Sequence, residues 1–197
     1  MNHDDKLRDK LTTYIQDMYA VENQLVETLD KQVDQAAKFP AIQAKISQHL
    51  DATKQHRSRM EQRLQAYGES PSTLKGIMSG MMGNITGAMS GMRSDVLAMY
   101  ARDDYVAESL EVAGYRMLIA TARAYGDEDT VRAAELNLRD DEEMQRWLGQ
   151  HAAEAALLSL EQDGITIPAD ARARAQEPLV PGAMGTLGAQ PEATPPS

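Results

Sequence analysis

Chain breakers divide this sequence at Phe39-Pro40, Gly68 to Pro71, Gly126-Asp127 and Gly164 to Pro168. The segments between them are far longer than strands run, which excludes a sheet protein. Their apolar residues recur at three- and four-residue steps, the period of a helix with one buried stripe. A first helix is expected over about 5 to 35, with Leu7, Leu11, Ile15, Met18, Leu25, Leu29 and Val33 as its stripe. A second, over about 40 to 67, carries Ile42, Ile46, Met60 and Leu64; a third, over about 95 to 125, carries Leu97, Ala101, Tyr105, Val112, Tyr115 and Ile119. Gly126 suits a left-handed position just past a helix end and Asp127 an N-cap, so a tight turn leads into a fourth helix over about 128 to 162. Its stripe is Val131, Ala134, Leu138, Leu148, Ala152 and Leu160. The result is all-α: two helical hairpins, each with a short loop.

Residues 69–94 join the hairpins, and a link of that length permits a crossover bundle. Gly76, Gly80, Gly83, Gly87 and Gly91 fall on one helical face there, and Met78, Met81, Met82, Ile85, Met89 and Met92 on the opposite one. This reads as an extra amphipathic helix whose methionines pack on the bundle. A thioether copper site would need the methionines gathered at a point rather than strung along a face. Residues 1–168 are expected to form the bundle, and 169–197 a short extension ending in a Pro/Gly/Ala-rich, disordered tail.

Ionisable residues stand where the stripes should be apolar. Glu22 lies mid-stripe among Leu11, Ile15, Met18 and Leu29, Glu108 among Leu97, Ala101, Val112 and Tyr115, and Asp141 among Ala134, Leu138, Leu148 and Ala152, with Gln145 a turn further on. His49, Thr53 and His56 occupy the second helix's stripe between Ile46 and Met60, while Asp51 points away. Glu111 sits on the flank of its stripe, where burial and exposure are both open; Tyr19 and Tyr105 are expected in the core. Counting residues from the two tight turns brings these groups to one depth. An ionised carboxylate in an apolar seam costs several kcal/mol unless paired or metal-bound. Lys54, Arg57 and Arg139 lie off the stripes, so a divalent metal pair accounts for the acids most economically.

Composition narrows the partners. Thirty acids against twenty bases give a net charge of −10, unfavourable for nucleic acid or an anionic membrane surface. There is no cysteine, which excludes disulfides and thiolate metal sites. No run of 18 apolar residues occurs and the first residues lack the order of a secretory signal, so a cytoplasmic protein is expected.

The chain resembles the YciE/YciF-type stress-response proteins of bacteria, a branch of the ferritin-like superfamily, over about residues 5 to 160. Val21-Glu22-Asn23-Gln24-Leu25 is similar to the family's A-E-x-Q-L run, and His49-Leu50-Asp51-Ala52-Thr53-Lys54-Gln55-His56 to its H-L-E-E-T-x-x-H run. Ala107-Glu108-Ser109-Leu110-Glu111-Val112-Ala113-Gly114-Tyr115 is similar to V-E-H-Y-E-I-A-G-Y, and Leu138-Arg139-Asp140-Asp141 to an acidic pair after a leucine. The resemblance implies a ferritin-like four-helix crossover bundle with a rubrerythrin-like di-iron or di-manganese site. One or two iron or manganese ions are then expected on Glu22, His56, Glu108 and Asp141, with His49, Asp104 and Glu111 as further candidates. The implied chemistry is oxidation of Fe(II) or Mn(II), or removal of peroxide; the alternative is a non-catalytic structural or interaction protein with a degenerate site, working as a homodimer. Ala52 departs from the family pattern by removing an acid. Asp104, one turn before Glu108, is placed to compensate by binding metal or by bonding the ring of His49 or His56.

Overall fold

The computed structural model describes residues 3–70, 96–175 and 177, and those residues hold helices and no strand. Helix α1 spans His3–Gln35; a single 3-10 turn, Ala36–Lys38, and Phe39 lead to Pro40, whose fixed φ suits the first position of α2, Pro40–Ala66. Helix α3 spans Val96–Tyr125, α4 Glu128–Gln162 and the short α5 Ala169–Ala175. The α3–α4 turn closes as its sequence requires. Gly126 adopts φ 84°, the amide of Asp127 bonds the carbonyl of Ala122 at 2.9 Å, and the Asp127 side chain accepts from the Thr130 amide at 3.0 Å.

Cross-helix bonds fix the directions. Arg8 meets Tyr67 and Gln43 meets Val33, so α1 and α2 are antiparallel; Arg123 meets Glu135 and Gln145 meets Ser109, so α3 and α4 are too. Gln32 bonds Asp104 while Glu22 bonds Tyr115, placing α3 antiparallel beside α1, and Arg63 bonds Thr130 while Lys45 reaches Glu143, placing α4 antiparallel beside α2. Helices α2 and α3 therefore face each other across the interior and run parallel, and α2 ends at the opposite end of the bundle from where α3 begins. That is the crossover arrangement expected from the sequence. The Met/Gly-rich helix expected in 69–94 and the tail expected from 178 onward lie outside the described residues, save for Glu69 and Ser70.

The interior is stacked in three levels. Next to the Gly126 turn, Leu11, Ile15, Met18, Met60, Leu64, Tyr115, Leu118, Ile119, Ala122, Val131 and Ala134 form the main apolar core. Each fully buried Leu or Ile there contributes roughly 1.5–3 kcal/mol. At the far end, Leu29, Ala36, Ile46 and Leu50 make a smaller cluster. Between them lies the ionisable level. Gly114 leaves room for the Met18 side chain between α1 and α3, since a Cβ at this position would run into its Sδ.

Three core expectations fail. Tyr105 is 44% exposed and lays its ring along α4 over Gly149. It falls one residue past Asp104, and the buried line of α3 runs through Asp104, Glu108, Glu111 and Tyr115, a helix-width to one side. On α4, Ala152 and Leu160 are exposed and the buried positions are Ala155, Leu157 and Ser159. The Ser159 hydroxyl accepts the Ala98 amide at the start of α3, which sets the rotation of this last stretch. Tyr19 is partly buried against the main core.

Candidate metal centre

Each helix supplies its ionisable groups at helical spacing, so all of them face the interior at one level. Glu22 comes from α1, His49, Thr53 and His56 from α2, Asp104, Glu108 and Glu111 from α3, and Asp141 from α4, every one of them buried. Glu111, ambiguous in the sequence, is only 1% exposed.

Two overlapping groups emerge. Glu22, His56 and Asp141 each offer a ligand atom within 4.8 Å of the others, and so do His49, Glu108 and Asp141. His56 Nδ1 lies 3.5 Å from Glu22 Oε1 and 3.3 Å from Asp141 Oδ1, and His49 Nε2 lies 2.8 Å from Glu108 Oε1. Asp141 belongs to both groups and stands between them. Glu111 lies close enough to Glu22, Glu108 and Asp141 for their charges to act on it.

Outer partners hold this set. Asp140 Oδ2 sits 3.2 Å from His56 Nε2, an arrangement that leaves Nδ1 turned to the acids, as in a carboxylate–histidine–metal relay. The Tyr115 hydroxyl donates to Glu22 and accepts from the Asn137 amide at 2.7 Å, and the Asn137 carbonyl oxygen accepts from Arg59 at 2.7 Å. Every donor in that chain points toward Glu22, which fixes its orientation. Thr53 donates to the backbone carbonyl of His49 rather than into the centre. Asp104 does not bond either imidazole; its Oδ1 accepts from the Gln32 amide at 2.9 Å, and it stands outside both groups. Gln145 bonds the Ser109 hydroxyl at the edge, and Met144 takes the inward place a turn beyond Asp141.

The electrostatics are those of an unneutralised site. Five buried carboxyl groups converge, and among the described residues no lysine or arginine forms an ion pair with any of them. Burial, with repulsion from Glu22, holds Glu108 well above the usual carboxylate range; burial with repulsion from Asp141, Glu22 and Glu108 does the same to Glu111, and burial with repulsion from Glu22 does so to Asp141. Burial takes Asp104 to about 7 against the Gln32 bond. Burial and the charge of His56 push His49 down to about 4, so its imidazole is neutral. Burial also opposes charge on His56, but Glu22, Asp141 and Asp140 outweigh it and bring that group up to about 9. Among the described residues, His56 is thus the one cation inside the cluster of five acids.

Buried polar atoms are normally hydrogen-bonded. Here Glu22 Oε2, His56 Nδ1, Glu108 Oε2, both oxygens of Glu111 and both of Asp141 have no partner, and apart from Gln32 Oε1 they are the only such buried side-chain atoms among the described residues. Oxygen and imidazole donors without partners, gathered in a buried pocket of negative charge, fit a hard or borderline divalent cation such as iron or manganese.

Four helices aiming carboxylates and imidazoles at one buried level define the class: a ferritin-like helical bundle with an interior carboxylate–histidine centre that could hold a metal ion. Within that class, the chain belongs to the family described as domain of unknown function DUF892, whose pattern matches residues 6–161. A Xanthomonas campestris protein of known structure shares the fold at 22% identity and a TM-score of 0.66, covering 81% of this chain and 99% of its own. The stress protein YciF of E. coli does so at 17% identity and 0.58, covering 76% and 96%. YcfI of Rhodopseudomonas palustris does so at 23% and 0.56, covering 73% and 92%. No helix among the described residues is long and apolar enough to cross a membrane.

Proposed function

We propose that this protein holds two divalent transition-metal ions, iron or manganese, and uses them in the stress response to oxidise Fe(II) or Mn(II) or to remove peroxide. The observation that carries the reading is the set of unpartnered buried atoms on Glu22, His56, Glu108, Glu111 and Asp141. Glu22, His56 and Asp141 would hold one ion, His49, Glu108 and Asp141 the other, with Glu111 beside them. A bound metal pair supplies redox change and open positions for an oxidant. The chain's own residues do the rest. Asp140 orients the His56 ring, and Tyr115, backed by Asn137, holds Glu22. Apolar side chains above and below exclude water and keep the charges strong.

The test is elemental analysis of protein incubated with Fe(II) or Mn(II) and dialysed, beside the Glu22→Gln, Glu108→Gln double variant. About one to two ions per chain are expected in the natural protein, as in related carboxylate bundles, and close to none in the variant. Equal metal in both would remove the site. A homodimer is the second reading. It is favoured by Val106 and Met117, 47% and 52% exposed on one side of α3, and sedimentation of the full chain checks it.

A further inference from the structure

A notch of about 330 Å³ opens between α2 and α4, lined by Lys45, Gln48, His49, Asp51, Ala52, Gln55, Asp140, Glu143 and Met144. Two features connect it to the centre. His49, only 5% exposed, forms part of its wall while its Nε2 rests on Glu108. Asp140 has a foot in each place: its side chain is 37% exposed, yet its Oδ2 touches Nε2 of the fully buried His56. Ala52 contributes only a methyl group at the position where a longer side chain would fill the space. The rim acids Asp51 and Glu143 lie 3.6 Å from Lys54 and 3.4 Å from Lys45, whereas Asp140 pairs with the imidazole of His56.

A second opening of about 370 Å³ lies beside it, lined mostly by apolar groups including Ile42, Ile46, Leu97, Ala101, Trp147 and Leu148. A hydrated cation pays a larger desolvation penalty on apolar walls than on polar ones, whose oxygens replace part of the water it sheds. We infer that the notch beside Ala52 is the entrance by which a hydrated divalent cation reaches the centre, with Asp140 the carboxylate that links the notch to His56. The inference rests on the metal reading above and adds the route to it. It makes Ala52 a kinetic feature, since its shortness leaves the polar path open.

Mn(II) uptake, followed by the loss of the aqueous Mn(II) resonance after mixing with the full-length protein, tests this. Ala52→Leu and Ala52→Gln, which fill the notch with an apolar and a polar side chain, should each slow uptake by about tenfold or more, in the range over which association rates respond to access. Mn(II) held at saturation and the apo melting temperature should stay unchanged. Ala101→Leu, which fills the apolar opening, should load at the natural rate. Uptake at the natural rate in both Ala52 variants, or slowing by Ala101→Leu alone, would overturn the entrance and leave the metal reading standing. A natural protein that takes up no Mn(II) would overturn both.

Discussion

The end of the bundle beside the Gly126 turn and the level above it are built by the same four helices with the same helical period, yet their interiors are opposite. In the first, Leu11, Ile15, Met60, Leu64 and Leu118 fill the seam and need nothing further. In the second, Glu22, His49, His56, Glu108, Glu111 and Asp141 take equivalent inward positions and leave donors without partners. Helix geometry decides which residues meet; side-chain chemistry decides whether the meeting is complete. The apolar level stabilises the fold by itself, and its surplus holds the ionisable level in place.

The largest expected effect follows from the apolar side. Leu118→Ala should lower stability by about 3 kcal/mol, within the range for a buried leucine, and by the same amount with and without metal. Chemical denaturation of both forms measures it, and a loss that appears only without metal would mean that the two levels are not independent.

Acid should sharpen the contrast next. Asp104, at about 7 when folded and near its ordinary 3.8 when unfolded, adds stability that is complete below pH 4 and is lost as pH rises through 7. Glu108, Glu111 and Asp141 act in the same direction. His49 opposes them, because a neutral buried imidazole loses stability as pH falls through 6.5 toward 4. With four acids against one imidazole, the chelator-treated protein should gain stability, by about 2 kcal/mol, between pH 7 and 5. The metal-loaded protein should lose stability over the same interval, as protons displace metal from its ligands. Melting curves at the two pH values check both signs.

The smallest effect belongs to Asp104. It lies one turn from Glu108, fixed by Gln32 rather than by a histidine. Asp104→Asn removes its charge and should weaken Mn(II) binding by about tenfold, as for outer partners of metal ligands. Titration measures it, and unchanged affinity would place Asp104 with Gln32 as a purely structural pair.

Much of this contrast was legible in the residues. Polar groups interrupting an apolar period at Glu22, His49, His56, Glu108 and Asp141 marked the level, and counting from the two turns aligned it. Other features needed coordinates. Glu111 lies on the flank of an ideal stripe, and a few degrees of helix rotation bring it inward. Over the 35 residues of α4 the ideal stripe drifts from the real one, which is why Ala152 and Leu160 face outward. Asn137, fully buried, carried no signal in the sequence, since its role exists only once Tyr115 and Arg59 stand on either side of it.

Crystals of the full chain grown with Mn(II) and measured at the manganese absorption edge give the most direct test of the ionisable level. Two anomalous peaks are expected inside the bundle, one among Glu22, His56 and Asp141 and one among His49, Glu108 and Asp141, each about 2–2.5 Å from its donors. An interior without a peak, or peaks confined to surface carboxylates, would contradict the metal centre.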